Sequence, residues 1–249
     1  MKRFLSMLLM VMLLSPLTMK ADEILVGTAT GHSNLGPFVN SYPHSWIEMI
    51  YTAEEIGQAC TIGSIAYQYA EGPKFPLNEI KIYLAETTKT SFETKADWTP
   101  ENELKLVYSG VNVVIGGDEE WEVFELDTPF EYSGEKNLAV VISKTASYNE
   151  LYLRWSCYVA EKNILFTASD TDPSFAQYPT AEGLATYDKK PIMKLTERAP
   201  QLDAPTNLRA YIRQDIPDYN YKYEITMAWD AVEGAQGYDV FVNTTKEQD

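Results

Sequence analysis

Acidic residues are the most abundant side chains in this sequence that could do chemistry. The 249-residue chain carries 36 Asp and Glu, and several of these are adjacent, as in Glu54-Glu55 and Asp118-Glu119-Glu120. A glycosidase needs only two well-placed carboxylates, so a glycan-active hydrolase is one interpretation. Adjacent pairs also arise by chance in so acidic a chain. We favour that second interpretation, in which the protein is not an enzyme and has no catalytic residue.

One acidic cluster has a spacing that suits a metal ion. In Asp170-Thr171-Asp172 two aspartates alternate within a stretch that shows no strand periodicity. Calcium takes carboxylate oxygens together with backbone carbonyls, so Asp170 and Asp172 are candidate calcium ligands. Calcium is the one cofactor that the sequence suggests. The same residues also favour an Asx turn before Pro173, and this alternative remains open.

Other catalytic and metal-binding motifs are sparse. The chain has two histidines, His32 and His44, which stand apart from any H-E-x-x-H pattern, so we expect them to be ordinary solvated side chains. Ser156-Cys157 falls inside a predicted strand, with the cysteine on its apolar side. This placement disfavours a papain-like nucleophile.

Tyrosines are the remaining candidates for ligand binding. The chain contains 17 of them. An aromatic face can stack on the apolar C–H surface of a sugar, although most tyrosines in a sheet are half-buried packing residues. The tyrosines considered for stacking are Tyr148, Tyr152, Tyr158, Tyr178 and Tyr187.

The charge balance limits the partners. The formal net charge of −16 argues against nucleic acid and against anionic membranes, because both require a basic protein surface. We expect the acidity to keep an exported protein soluble. The partners that remain are a polysaccharide and a host or other extracellular protein.

The first residues predict export. Lys2 and Arg3 precede an apolar run that extends to Met19, and Ala21 offers a small residue for cleavage. This order is typical of a signal peptide over residues 1–21. The apolar run is shorter than a membrane-spanning helix needs, so we expect cleavage and no later membrane insertion. The sequence therefore predicts a secreted or cell-surface protein.

Two cysteines in an exported chain suggest a disulfide. A bridge between Cys60 and Cys157 would close a loop of ~97 residues and stabilise the fold by about 4–5 kcal/mol in the chain-entropy model. The alternative is two separately buried thiols that behave as small apolar side chains.

The elements that must position these residues are strands. Asn78–Glu86 alternates between apolar and polar side chains, and short strands separated by Gly-containing turns follow, as in a sandwich or barrel. The long connection 87–102 contains Phe92 and Trp98, which predicts a loop packed back onto the sheet. The predicted strands are 24–30, 45–51, 60–69, 78–86, 104–108, 111–115, 120–126, 137–143, 151–158, 163–168 and 191–195.

Two local features are also predicted. Thr52 and Glu55 form a capping box for one helical turn, which Gly57 ends. The alternation of 121–126 changes phase between Val123 and Phe124, which predicts a β-bulge there.

The last part of the chain resembles a fibronectin type III domain. The residues that carry the resemblance are 204–210, 223–230 with Trp229 as the core tryptophan, and 237–243. The resemblance implies a partial domain over 205–249, because three strands are fewer than a complete sandwich of this class contains. The segment 197–204, with Pro200, is the predicted linker.

Residues 22–196 resemble a β-sandwich module of exported surface proteins from Bacteroidota-type bacteria. The resemblance lies in 82–92, Asp97-Trp98, 106–110, 126–132 and 137–140. It implies an all-β chain, with a jelly-roll-like sandwich ahead of the truncated fibronectin unit, and a non-enzymatic role in adhesion or in glycan or protein binding. The alternatives are a glycan-active hydrolase or its accessory binding domain, and a structural spacer.

Overall fold

The chain divides into two compact units in a computed structural model. One unit is Ala21–Arg198, and the other combines Met1–Lys20 with Ala199–Asp249. The structure describes residues 12–16, 22–117, 120–198, 205–215, 222–232 and 238–242.

Almost all regular structure is antiparallel β-strand, which confirms the predicted all-β class. Besides the strands, the described residues include one short helix, α1 (Ala53–Ile56), and two 3-10 helices, Glu101–Glu103 and Pro173–Ala176. The strands are β1 (Met12–Pro16), β2 (Glu23–Val26), β3 (Gly31–Ser33), β4 (His44–Tyr51), β5 (Cys60–Glu71), β6 (Phe75–Thr87), β7 (Lys105–Ile115), β8 (Trp121–Tyr132), β9 (Asn137–Thr145), β10 (Arg154–Ser169), β11 (Ala185–Pro191), β12 (Met193–Glu197), β13 (Arg209–Asp215), β14 (Lys222–Ala228) and β15 (Tyr238–Val242).

The larger unit is a sandwich of two layers. One layer has the strand order β2-β12-β5-β8, and the other, called the large sheet below, has the order β10-β4-β9-β6-β7. Strands β3 and β11 add to β10. The layers are joined at one corner, where Trp155 of β10 pairs with Tyr69 of β5.

The main core lies between the two layers. Alternate residues point inward from each strand, as Ile47 and Met49 do in β4, Tyr67 in β5 and Ile82 in β6, and all of these are buried. Period-two alternation places every second side chain on one face, so the apolar pattern of the sequence specifies which face is buried.

A second apolar cluster lies on the outer face of the large sheet. Trp46 and Ile50 of β4 and Leu165 of β10 face outward there, and Phe92 and Trp98 of the connection 88–104 cover them. This connection, called the cover loop below, packs back onto the sheet as predicted. The outer face of the large sheet therefore supports loops, and these loops build the candidate site.

Several local predictions are confirmed and others are wrong. The helix α1 has the predicted capping box between Thr52 and Glu55 and ends at Gly57 in the left-handed region. The bulge predicted between Val123 and Phe124 is absent, because both residues keep regular pairing with β5. Val123 points to solvent as an exposed apolar residue, which produces the apparent change of phase.

Two predicted strand breaks are also absent. Residues 104–108 and 111–115 belong to one continuous strand, β7, which pairs along its length with β6. Residues 154–169 likewise form one strand, β10, with an irregularity between Val159 and Ile164. Asn112 and Lys162 have positive φ at these places, so each strand is distorted locally while its pairing continues on both sides.

The predicted disulfide is not formed. Cys60 and Cys157 are separate buried thiols. Cys157 lies two residues from Trp155, which pairs with Tyr69, and Tyr69 is nine residues, or roughly 30 Å of extended strand, from Cys60. A disulfide requires Cα atoms within about 7 Å, so these positions do not permit a bridge.

Two strand pairs are present in the part of the smaller unit that the structure describes. Strands β13 and β14 form an antiparallel pair, and β1 pairs with β15. Strand β13 begins at Arg209, five residues after the start of the segment 204–210 that resembles the first fibronectin strand. Strand β1 lies within the predicted signal peptide, and the cleavage of that segment stays a prediction. No helix of the described residues is long and apolar enough to span a membrane.

Candidate functional site

A cleft opens on the outer face of the large sheet, beside the end of β10. Its volume is about 390 Å³, which lies within the range of small-molecule sites. One wall is the strand residue Thr167, and the others belong to the connection 170–184, called the cleft loop below. The lining residues are Thr167, Ser174, Phe175, Gln177, Tyr178, Pro179, Thr180, Ala181, Glu182 and Leu184.

Two half-buried aromatic rings of the cleft loop, Phe175 and Tyr178, contribute to the lining. The ring of Tyr178 meets the indole of Trp46 edge-on, with the ring centroids 5.9 Å apart. Its hydroxyl donates a hydrogen bond of 3.2 Å to the carbonyl of Thr99. Tyr178 is therefore held at both ends, and one part of its surface faces the cleft.

The cover loop fixes the cleft loop by direct hydrogen bonds. The indole N–H of Trp98 donates to the carbonyl of Ala181 at 3.1 Å, and the amide of Gly183 donates to the carbonyl of Lys95 at 2.7 Å. Position 183 leaves no room for a side chain, because a Cβ on Gly183 would lie 2.8 Å from the carbonyl oxygen of Phe166. The cleft is consequently formed before any ligand arrives, which lowers the ordering cost of binding.

A buried carboxylate fixes the cover loop in turn. Glu48 of β4 points to the outer face of the sheet and is fully buried. Its oxygens accept hydrogen bonds from the amide of Thr99, at 3.0 and 3.2 Å, and from its hydroxyl at 2.5 Å. Burial raises the pKa of Glu48, and the hydrogen bonds from Thr99 oppose this rise only in part.

The candidate calcium residues lie where the cleft loop begins. Asp172 caps the 3-10 helix Pro173–Ala176 by accepting a hydrogen bond of 2.9 Å from the amide of Ser174. Hydrogen bonds from the hydroxyl and from the amide of Ser174 lower the pKa of Asp172. Ser169 accepts from the amide of Asp172 at 3.0 Å. This geometry is the Asx turn that the sequence offered as the alternative, and calcium binding at Asp170 and Asp172 stays a prediction.

The histidines are widely separated. His32 pairs with Ser156 and His44 with Ser169, so thirteen residues of β10 separate their partners. That is on the order of 40 Å for a fully extended strand, before the irregularity in β10 is allowed for. Among the described residues, no group of three or more His, Cys, Asp or Glu side chains could hold a metal ion.

Glu54 and Glu55 do not form a pair of acids. Glu54 is exposed, whereas Glu55 turns inward and accepts hydrogen bonds from Lys190 at 2.8 Å and from the hydroxyl of Tyr158 at 2.7 Å. Burial alone would raise the pKa of Glu55, but the contact with Lys190 makes the net shift downward. This network joins α1 to β10 and β11. Asp118 and Glu119 lie outside the described residues.

The two thiols are in surroundings that suppress reactivity. Burial raises the pKa of Cys60 to about 11 and also raises the pKa of Cys157. Because the thiolate is the nucleophile, Cys157 beside Ser156 does not have the properties of a catalytic cysteine.

Of the five tyrosines considered for stacking, Tyr178 alone lines the cleft. The hydroxyl of Tyr158 donates a hydrogen bond to Glu55. The ring of Tyr148 packs edge-on against Phe75, with the ring centroids 5.2 Å apart. Tyr152 and Tyr187 are exposed at other positions.

Sequence reasoning missed most of the cleft. It named Tyr178 as a stacking candidate and Asp170 and Asp172 as calcium candidates, and it treated the rest of the cleft loop as irregular chain. The signal that could have found it is the one used for the cover loop, namely two aromatic residues in a polar connection. Phe175 and Tyr178 form such a pair. The polar residues Gln177, Thr180 and Glu182 carry no signal that distinguishes them from other loop residues.

A comparison of the chain with protein-family models, with curated proteins and with solved structures found no match in any of the three. The resemblances to a fibronectin type III domain and to an exported surface module therefore stay predictions.

Proposed function

We propose that this chain is a non-enzymatic, exported binding module and that its larger unit recognises a glycan in the cleft. The observation that carries the proposal is the composition of the lining, in which the rings of Phe175 and Tyr178 are combined with the amide of Gln177 and the hydroxyls of Thr167 and Thr180. Apolar rings and a few polar groups are the usual means by which a concave site orients a small ligand.

The chemistry of these groups suits a sugar. A pyranose has apolar C–H faces, which can stack on the aromatic rings, and hydroxyls that both donate and accept hydrogen bonds. Amide and hydroxyl side chains likewise do both. The fixed position of Tyr178, held by Trp46 and Thr99, spares the cost of ordering an aromatic side chain on binding.

Binding rather than hydrolysis is favoured by the carboxylates. The lining contains one carboxylate, Glu182, whereas the usual glycosidase mechanism requires two that flank the scissile bond. The buried Glu48 is not part of the lining, and its oxygens are used by Thr99. A protein-binding surface or a structural spacer would not require a cleft of this kind.

The proposal is tested by screening the purified chain on a glycan array and by measuring the dissociation constant of each hit by calorimetry. We expect Phe175→Ala and Tyr178→Ala each to weaken binding by about tenfold or more, which corresponds to ~1.4 kcal/mol. Tyr178→Phe keeps the ring and should keep most of the affinity. Tyr152→Ala removes a tyrosine that is 74% exposed and outside the lining, and it should change nothing.

Thermal melting of each variant separates lost binding from lost folding. The cleft would be refuted as a glycan site if no glycan on the array bound. The same conclusion would follow if folded Phe175→Ala and Tyr178→Ala variants bound each hit with unchanged dissociation constants. Release of reducing sugar that stops with Glu182→Gln would instead establish a hydrolase.

A further inference from the structure

The charges around the cleft indicate which glycans it can take. Its lining has one ionisable carboxylate, Glu182, and contains no Lys, Arg or His. The remaining polar groups are the neutral side chains of Thr167, Ser174, Gln177 and Thr180, together with the Tyr178 hydroxyl. The lining thus offers hydrogen bonds to a ligand and lacks a cation to pair with an acidic one.

The surroundings of Tyr178 are also negative. Burial raises the pKa of this tyrosine and the nearby Glu48 raises it further, while a backbone hydrogen bond at Glu101 acts in the opposite direction. Asp170 and Asp172 are exposed at the start of the same loop. The chain as a whole carries a formal net charge of −16, so the long-range field adds to the local one.

Two lysines of the cover loop, Lys89 and Lys95, do not supply a cation to the lining. Lys95 meets the cleft loop through its carbonyl, which accepts from Gly183. Lys89 is bound to Asp97 by an ion pair of 2.9 Å. Neither side chain belongs to the lining.

An acidic glycan would therefore bind at a disadvantage. A uronate or sulfate group in the cleft would lose hydration without gaining a charged partner, and an unpaired charge is costly to desolvate. It would also meet Glu182 as a like charge. The hydroxyls of an uncharged sugar, in contrast, can donate to the Glu182 carboxylate and exchange hydrogen bonds with Gln177 and Thr180.

We propose that the cleft selects uncharged pyranose glycans and rejects those that carry carboxylate or sulfate groups. This inference rests on the proposed glycan-binding function and names the ligand class of the same site.

The test uses matched pairs of polymers that differ in charge. Hydroxyethyl cellulose is compared with carboxymethyl cellulose, and dextran with dextran sulfate, alongside the neutral and acidic members of a glycan array. We expect binding among the neutral members only. Their dissociation constants should change by less than about twofold between about 0.05 and 0.5 M NaCl, because screening acts only on charge-dependent binding.

Two variants of Glu182 separate charge from shape. Glu182→Gln keeps the size of the side chain and removes its charge, so the preference for the neutral member of each pair should become smaller. Glu182→Lys places a cation in the cleft and should increase the affinity for the acidic member of a pair by about tenfold or more. An unchanged preference in Glu182→Lys would mean that charge does not set the selectivity, and this result would overturn the inference.

The outcomes also distinguish the two proposals. Acidic glycans that bind as tightly as neutral ones, and lose affinity in Phe175→Ala, would overturn the selectivity while leaving the cleft as a glycan site. Absence of any glycan binding, or binding that ignores Phe175→Ala and Tyr178→Ala, would overturn the proposed function itself.

Discussion

The carboxylate of Glu48 accepts hydrogen bonds from both the amide and the hydroxyl of Thr99, a residue 51 positions away in the chain. Both residues are almost completely buried. The contact ties the cover loop to β4, and the cover loop in turn holds the cleft loop through Trp98 and Ala181. A single buried acid on the outer face of the large sheet thereby supports the geometry of the cleft.

Glu48→Gln should stabilise the protein at neutral and alkaline pH. The folded-state pKa of Glu48 is raised above its ordinary value of 4.5, first of all by burial. The stability that this group contributes is therefore fully present below about pH 4.5 and is lost as the pH rises through the raised pKa. Glutamine can accept from the Thr99 amide and donate to its hydroxyl without a charge.

The measurement is the melting temperature of Glu48→Gln and wild type between about pH 4 and pH 8. We expect near equality at the acidic end and an advantage for the variant of about 1–2 kcal/mol, or about 2–8 °C, at the alkaline end. Glu182→Gln, which changes an exposed side chain, serves as control. A Glu48→Gln variant that is less stable than wild type at pH 8 would show that the ionised form is favourable in the fold.

Lys144→Met should also stabilise the protein near neutral pH. Burial lowers the pKa of Lys144 from 10.5 to about 7. Its ammonium group donates to the carbonyl of Tyr42 and lies 5.6 Å from the centroid of the Phe75 ring. No ion pair to this lysine is present among the described residues. Methionine has a similar length and removes the buried charge.

The pH dependence follows from the sign of this shift. Because the unfolded chain binds the proton more tightly than the folded one, the cost of burying Lys144 is complete below about pH 7 and disappears as the pH rises towards 10.5. The advantage of Lys144→Met should be about 1 kcal/mol or more at pH 7, or about 2–4 °C, and should shrink by pH 10. An advantage that does not change with pH would mean that packing, not charge, accounts for it.

Patterns within one element were readable from the sequence. The alternation of Asn78–Glu86 lies within β6, and the Thr52, Glu55 and Gly57 signals define α1 because caps depend on a few adjacent residues. The strand breaks were misplaced because a glycine or a positive φ distorts a strand locally, while its neighbours preserve the pairing. Gly110, for example, stands at the predicted break between 104–108 and 111–115, yet it pairs with β6 inside the continuous strand β7.

The cleft depends on contacts that sequence patterns do not encode. Trp98 reaches Ala181 across 83 positions of sequence, and Tyr178 reaches Thr99 across 79. In both hydrogen bonds the acceptor is a backbone carbonyl, of Ala181 or of Thr99. Because every residue has such a carbonyl, the residue types do not indicate which two positions are in contact. The disulfide prediction was wrong for a similar reason: the sequence contains Cys60 and Cys157 but does not show the distance between their strands.

Gly183→Ala should disturb the cleft loop specifically. A Cβ at this position would lie 2.8 Å from the carbonyl oxygen of Phe166 and 2.8 Å from the Cδ1 atom of Leu165. Overpacking of this kind typically costs about 1–3 kcal/mol. We expect a melting temperature about 2–12 °C lower than that of wild type.

Gly31→Ala provides the matched control, because no atom lies within 4 Å of the corresponding Cβ. It should melt within about 1–2 °C of wild type, as a surface change usually does. Equal losses in Gly183→Ala and Gly31→Ala would mean that glycine flexibility, rather than the close approach to Phe166, limits the substitution.

The two cysteines should remain unpaired in the folded protein. Cys60 and Cys157 are both buried, and burial raises the pKa of each thiol, so neither supplies much of the thiolate that disulfide formation requires. Alkylation after denaturation, without reductant, should add two labels per chain, and reductant should leave the melting temperature unchanged. Cys157→Ala cannot form an intramolecular bridge, and its melting temperature should likewise be the same with and without reductant. A mass two hydrogens lower than that of the reduced chain, with no labels added, would establish a Cys60–Cys157 bridge and require the two strands to lie far closer than they do here.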